Sequence, residues 1–204
     1  MEQGHINAAR LKSYGSLYMF TRWMFYQRRG YIWQRANHHA LICNALERVF
    51  NGETKRLIIN IPPRYSKTEI AVVNFIAWAM GRVPDCEFIH ASYSATLAVN
   101  NSVQIRNLVQ HEEYRAIFPD LALASESSHH WKTTAGGVMY ATGTGARLPA
   151  LARANTARGS AAQSYWTICT RPMKHEARSD GRMLSTGFKI RWNHGRTAPI
   201  HRLS

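Results

Sequence analysis

Apolar positions along the chain fall into three regimes. Over residues 1–54 they recur at helical spacing. "SYGSLYMFTRWMFYQRRGYIWQ" is dense in aromatic residues and reads as helix. In "NHHALICNALERVFNGE", Leu41, Ile42, Ala45, Leu46 and Val49 share one helical face until Asn51-Gly52 ends the pattern. Over residues 55–145 strand and helix periods alternate. "RLIINI" is a short apolar strand, and "SKTEIAVVNFIAWAMG" is a helix that Gly81 is expected to close. "CEFIHASY" is a second strand and "SATLAVNNSVQIRNLVQ" a second helix. This βαβα order with apolar strands predicts an α/β fold, a parallel sheet covered by helices. "WKTTAGGVMYATGTG" then predicts a hairpin turning at Gly136-Gly137. Residues 146–204 keep neither period, so three units are expected: a helical segment (1–54), an α/β core (55–145) and a basic irregular tail (146–204) that stays out of the sheet.

Composition supports a globular origin, with 45% hydrophobic residues and six Trp in 204 residues. The longest apolar run, Ile70 to Met80, is too short to span a bilayer and contains Asn74, so it is expected to be a buried helix rather than a membrane segment. The start, "MEQGHINAARLKSYG", has no apolar h-region of a signal peptide. The scattered cysteines Cys43, Cys86 and Cys169 suit a reducing, cytoplasmic setting better than a disulfide framework or zinc site.

The formal net charge of +14 ordinarily points to a polyanionic partner. Its distribution changes that reading. Residues 1–145 hold 15 Lys+Arg against 10 Asp+Glu, whereas residues 146–204 hold 11 against 2. Most of the excess therefore belongs to the tail, and a non-enzymatic basic protein binding nucleic acid through that tail is one alternative function.

Candidate chemistry centres on "RLIINIPPRYSKTEI". A strand leads into a turn, then a helix opening with Lys67 and Thr68, as a phosphate-binding loop requires. Backbone N–H groups at such a turn face the phosphates, the lysine reaches their β/γ oxygens, and the hydroxyl binds Mg²⁺. Both glycines of the usual G-x-x-x-x-G-K-[ST] pattern are missing, because Ile61 and Ser66 stand in their places. Ser66 is small, yet it is strained if the loop needs a positive φ. The competing reading is a chance "SKT".

The run "GETKRLIINIPPRYSKTEIAVVNFIAWAMGRVPDCEFIHASYS" closely resembles the ATPase domain of tailed-phage large terminase subunits, a family that commonly reads "PPR", a short loop and "K[ST]E". "NHHALICNALERV", "SYSATLAVNNSVQIRNLV", "FPD" and "WKTTAGGVMYATGTG" extend the likeness over about residues 30–145. The resemblance implies a P-loop NTPase of the additional-strand, RecA-like class, with ATP and Mg²⁺ as cofactors. Pro63, Arg64, Tyr65, Ser66, Lys67, Thr68 and Glu69 would surround the phosphates, with Lys67 and Arg64 catalytic and Thr68 on the metal. Arg64 resembles the family's γ-phosphate sensor, its alternative being a surface ion-pair residue. His38 and His39 stand where the family often has a Trp-His pair beside the adenine, His39 being the candidate contact; as lone histidines they also suit a helix surface or core. Arg106 is either a finger reaching a neighbouring subunit's ATP or an exposed helical arginine. His129-His130 lack partners at metal-ligand spacing. The implied partners are double-stranded DNA, the small terminase subunit, the portal protein and further copies in a homo-oligomeric ring, with no membrane.

A P-loop ATPase also needs a strand ending in carboxylates. Residues 146–204 offer only Glu176 and Asp180, within "KHEARSDGR". Back-translation of 146–177 with free synonymous codons, read one base earlier, yields "AIILDD", and the same operation on 182–204 yields an amphipathic helix. A one-base slip of the reading frame near Thr144–Arg147 is therefore expected. The chain would then be a catalytically incomplete terminase ATPase lacking the acidic strand and nuclease domain; another small P-loop NTPase is the remaining alternative.

Overall fold

A computed structural model describes residues 2–54, 56–143, 165–170 and 188–193. The first 50 residues form α1 (Glu2–Gly15), α2 (Leu17–Arg29) and α3 (Asn37–Phe50). β1 (Arg56–Ile59) then leads through a loop into a helix whose first part, Glu69–Asn74, is π-helical and whose second is α4 (Phe75–Arg82). β2 (Glu87–Ser92), α5 (Ala95–Gln110) and the short α6 (Glu112–Ile117) follow. β3 (Leu123–Ser125), β4 (His130–Thr133), β5 (Val138–Gly143), β6 (Tyr165–Thr170) and β7 (Phe188–Asn193) complete the described elements.

The strands build one sheet in the order β1-β7-β6-β2-β5-β4-β3. β2 pairs in parallel with β5 and β6, while the β1–β7, β6–β7, β4–β5 and β3–β4 pairs are antiparallel. The fold is thus mixed α/β, and the expected all-parallel sheet is corrected to a mixed one. The cause is local. The short Gly136-Gly137 turn can only return the chain antiparallel, and β7 enters between β1 and β6 pointing the other way.

The expectation that 146–204 stays out of the sheet also fails, for Tyr165–Thr170 and Phe188–Asn193. "YWTICT" is composed of aromatic, β-branched and cysteine residues, and "FKIRWN" alternates apolar with polar. Such residues favour pairing on a pleated surface. The remainder of 146–204, and the proposed frame slip at 144–147, lie outside the described residues.

The core joins the N-terminal helices to the sheet layer. Phe20 and Met24 of α2, Leu46 of α3, Phe75 and Trp78 of α4, Phe88 of β2, Tyr114 of α6 and Trp131 of β4 belong to one buried cluster. Burying each large side chain stabilises by about 1.5–3 kcal/mol, so the helices of 1–54 share the stability of the core. Polar ties reinforce this. The Glu113 carboxylate accepts from the Arg10 guanidinium at 2.9 and 3.2 Å and from Trp23 Nε1 at 3.3 Å. The Glu47 carboxylate accepts from the Leu17 backbone N–H at 2.6 Å, satisfying an orphan donor at the start of α2.

Gly81 does not close its helix, which runs on to Arg82. A Cβ there would collide with the Phe118 ring, so the glycine makes room for packing rather than stopping the helix. At the hairpin Gly136 takes φ +95°, and a Cβ on Gly137 would strike the Pro84 and Cys86 carbonyl oxygens. No helix among the described residues is long and apolar enough to cross a membrane.

Candidate functional site

β1 runs antiparallel to β7 and β7 antiparallel to β6, so β1, β6, β2 and β5 all point the same way. Their carboxyl ends share one sheet edge, where open α/β sheets bind ligands. The loop after β1, residues 60–68, begins at this edge.

Two non-glycine residues in that loop have left-handed backbones, Arg64 at φ +68° and Ser66 at φ +58°. They are the only such residues among those described. A side chain in this conformation costs about 1–2 kcal/mol, and turns of this kind can aim successive backbone N–H groups into an anion-binding hollow. The strain expected for Ser66 in a glycine's place is therefore present. Ile70 N donates to Ser66 O at 2.9 Å, so the helix already begins at Lys67 and Thr68, the end of the loop, before the π-helical part. Its N-terminal end brings the partial positive charge of the helix to the same place.

Pro63, Arg64 and Tyr65 are exposed, Ser66 and Lys67 half-buried, and Thr68 exposed. Burial lowers the pKa of the Lys67 ammonium. Among the described residues Lys67 forms no ion pair. A partly desolvated ammonium without a carboxylate is primed for an incoming anion. Glu69 is differently placed. Its carboxylate pairs with the Arg28 guanidinium of α2 and accepts from Asn74 Nδ2 at 2.9 Å.

The histidines extend an aromatic ladder toward the loop. The His39 ring stacks on Trp33 at 4.2 Å, touches the His38 ring at 4.2 Å, and is 5% exposed. Trp33 in turn packs near Phe25, 6.0 Å between ring centres. His38, rather than His39, meets the loop, with its ring 5.5 Å from that of Tyr65. His39 Nδ1 accepts from the Ala36 N–H at 3.3 Å, so in the neutral ring the proton sits on Nε2. Burial first, and the neighbouring His38 second, lower the His39 pKa. Arg106 donates to the Glu126 carbonyl oxygen, which holds its guanidinium along its own subunit.

A phosphate group fits this donor set: left-handed turn, helix start and an uncompensated lysine. For Mg²⁺ the loop contributes one hydroxyl, Thr68, and Mg²⁺ usually completes its shell with substrate phosphates, carboxylates and waters. The residues thus suit a metal arriving with phosphate rather than one held by the chain alone. No cluster of three or more His, Cys, Asp or Glu able to hold a metal occurs among the described residues. Sequence reasoning passed over Arg28, Trp33 and the pairing of Asn74 with Glu69. The one signal available for them was a lone Asn inside the apolar run Ile70–Met80. Comparison of the chain with protein-family models, curated proteins and solved structures gave no match.

Proposed function

We propose that this chain is a nucleotide-binding ATPase domain of the large-terminase kind, taking Mg-ATP at the loop 60–68. The observation that carries the reading is the pair of left-handed residues, Arg64 and Ser66, just before Lys67, which forms no ion pair among the described residues and stands at a helix start. Strain of this kind persists only where surrounding structure enforces it, and it concentrates at ligand clamps. The ordered motifs over about residues 30–145 that resemble those of terminases support the same reading.

In this reading the loop's backbone N–H groups and Lys67 bind the phosphate oxygens. Thr68 gives its hydroxyl to Mg²⁺, and the exposed Arg64 reaches toward the terminal phosphate. Bound Mg²⁺ supplies charge neutralisation for phosphoryl transfer. Hydrolysis is proposed to be slow. Glu69, the loop's own carboxylate, is committed to Arg28, and β6, the strand beside β2, reads "YWTICT" without an acid to orient the attacking water. Double-stranded DNA, the small subunit, the portal and a ring of copies are the partners that belong to this proposal.

Isothermal titration of the full chain with Mg-ATP tests it. Lys67→Met should weaken binding tenfold or more, equivalent to about 1.4 kcal/mol, with the fold retained. A wild-type chain that binds no Mg-ATP, or binding indifferent to Lys67, overturns the reading. Lys67-dependent turnover at motor rates would overturn the proposed catalytic weakness.

A further inference from the structure

The helix behind the loop changes register within a single turn. Ile70 N donates four residues back, to Ser66 O, whereas Phe75 N is shared between Ile70 O, five residues back, and Val72 O, three back, with none to Ala71 O four back. One extra residue is thus accommodated in Glu69–Asn74. π-Helical turns are rare, occur mostly as single-turn bulges inside α-helices and recur at functional sites. Slipping back to unbroken α-helix requires a shift of one residue, so the π turn persists only if something holds it.

Asn74 is placed to do so. It is fully buried in the run Ile70–Met80, every other member of which is apolar and buried apart from the half-buried Gly81 that follows. Its Nδ2 donates to the Glu69 carbonyl oxygen at 2.6 Å and to the Glu69 carboxylate at 2.9 Å. The carbonyl it occupies is the first of the π turn. The same carboxylate is fixed by Arg28 from α2, in a contact only 15–18% exposed on either side. Burying a polar amide among apolar neighbours is costly unless it is hydrogen-bonded; here both bonds come from Nδ2 and fall on the residue where the register slips, while Oδ1 has no partner among the described residues.

We propose that Asn74 is a positioning residue for the phosphate loop. It holds a one-residue π slip, latched through Glu69 to Arg28, and the slip sets the direction of Lys67 and Thr68. Each helical residue turns the axis by about 100°. Loss of the slip would therefore rotate the start of the helix, with Lys67 and Thr68, by about that angle relative to α4, whose buried face is fixed by the core. The role of the loop as a ligand site rests on the proposed function; the role of Asn74 in the register does not.

Two readouts on the labelled full-length chain separate these. Couplings across hydrogen bonds in NMR spectra identify the carbonyl that accepts from Phe75 N–H. Ile70, shared with Val72, is expected in the wild type and Ala71 in Asn74→Leu. Titration with inorganic tripolyphosphate and Mg²⁺ should show at least tenfold weaker binding by Asn74→Leu and at least threefold weaker binding by Arg28→Met. Retention of Ile70 as acceptor in Asn74→Leu, or a changed acceptor with unchanged binding, overturns the proposal. If Asn74→Leu does not fold, Arg28→Met and Glu69→Gln decide, and wild-type register with wild-type affinity in both overturns it. A wild type that binds no tripolyphosphate removes the nucleotide reading, while the acceptor of Phe75 N–H still decides the part played by Asn74.

Discussion

Replacing Ser66 by glycine should stabilise the protein relative to the same change at a relaxed position. Ser66 sits at φ +58°, where a side chain costs about 1–2 kcal/mol. Glycine removes that cost but gives the unfolded chain more freedom, a loss of about 0.5–1 kcal/mol. The net expectation lies between no change and about 1.5 kcal/mol of stabilisation. Asn51, exposed and at φ −73° after α3, is the reference. Asn51→Gly carries the same entropic loss without strain relief, so the two substitutions should differ by about 1–2 kcal/mol. Urea unfolding followed by far-UV circular dichroism measures this, with unchanged m-values required for the comparison. Arg64→Gly, at φ +68°, should behave as Ser66→Gly does. Ser66→Val, a β-branched residue forced into a positive φ, should be destabilising and should weaken tripolyphosphate binding. If Ser66→Gly costs as much as Asn51→Gly, the loop is not strained and the main argument for an anion site falls.

Four other outcomes follow from the packing. Tyr114→Phe removes a buried hydroxyl that donates to the Ala77 carbonyl oxygen at 2.7 Å, and should cost about 1–2 kcal/mol in chemical denaturation. Gly137→Ala drives a methyl into the Pro84 and Cys86 carbonyl oxygens, so soluble expression or the thermal midpoint should fall sharply, whereas Gly4→Ala, which meets nothing and lies in α1, should lower neither and raise the midpoint slightly. Burial holds the His39 and His130 pKa values below the ordinary 6.5. The unfolded chain then binds more protons, so stability is complete above pH 6.5 and falls as pH drops below it; replacing both with Gln should flatten that slope. Glu113 adds a separate acid limb. Hydrogen bonding to Arg10 depresses its pKa, so its contribution is present above the ordinary carboxylate value of 4.5 and is lost as pH falls through the folded value. Arg10→Ala should remove this limb.

Much of the architecture was legible in the residues because the local signals were strong. The Leu41–Val49 pattern ended at Asn51 as α3 does, and Gly136-Gly137 marked a real hairpin turn. The strand, turn and helix around Lys67 also followed from their order in the chain. Gly81 misled because glycine both ends helices and admits close neighbours, and only the position of the Phe118 ring distinguishes the two uses.

Local periodicity and residue type are properties of neighbouring positions, so they located α3, β1, the buried run Ile70–Met80, β2, α5 and the candidate loop, but not β6 and β7. Strand order and direction are not local. That β7 comes between β1 and β6 in antiparallel sense, or that six residues of an Arg-rich segment pair beside β2, depends on which edges meet once the chain has collapsed. The same is true of the site. Lys67 and Ser66 could be picked out from spacing, but the latch that orients them joins Arg28, Glu69 and Asn74 from two helices. Hydrogen bonds to a buried amide and carboxylate form only when packing has excluded water, and no spacing in the chain records that event.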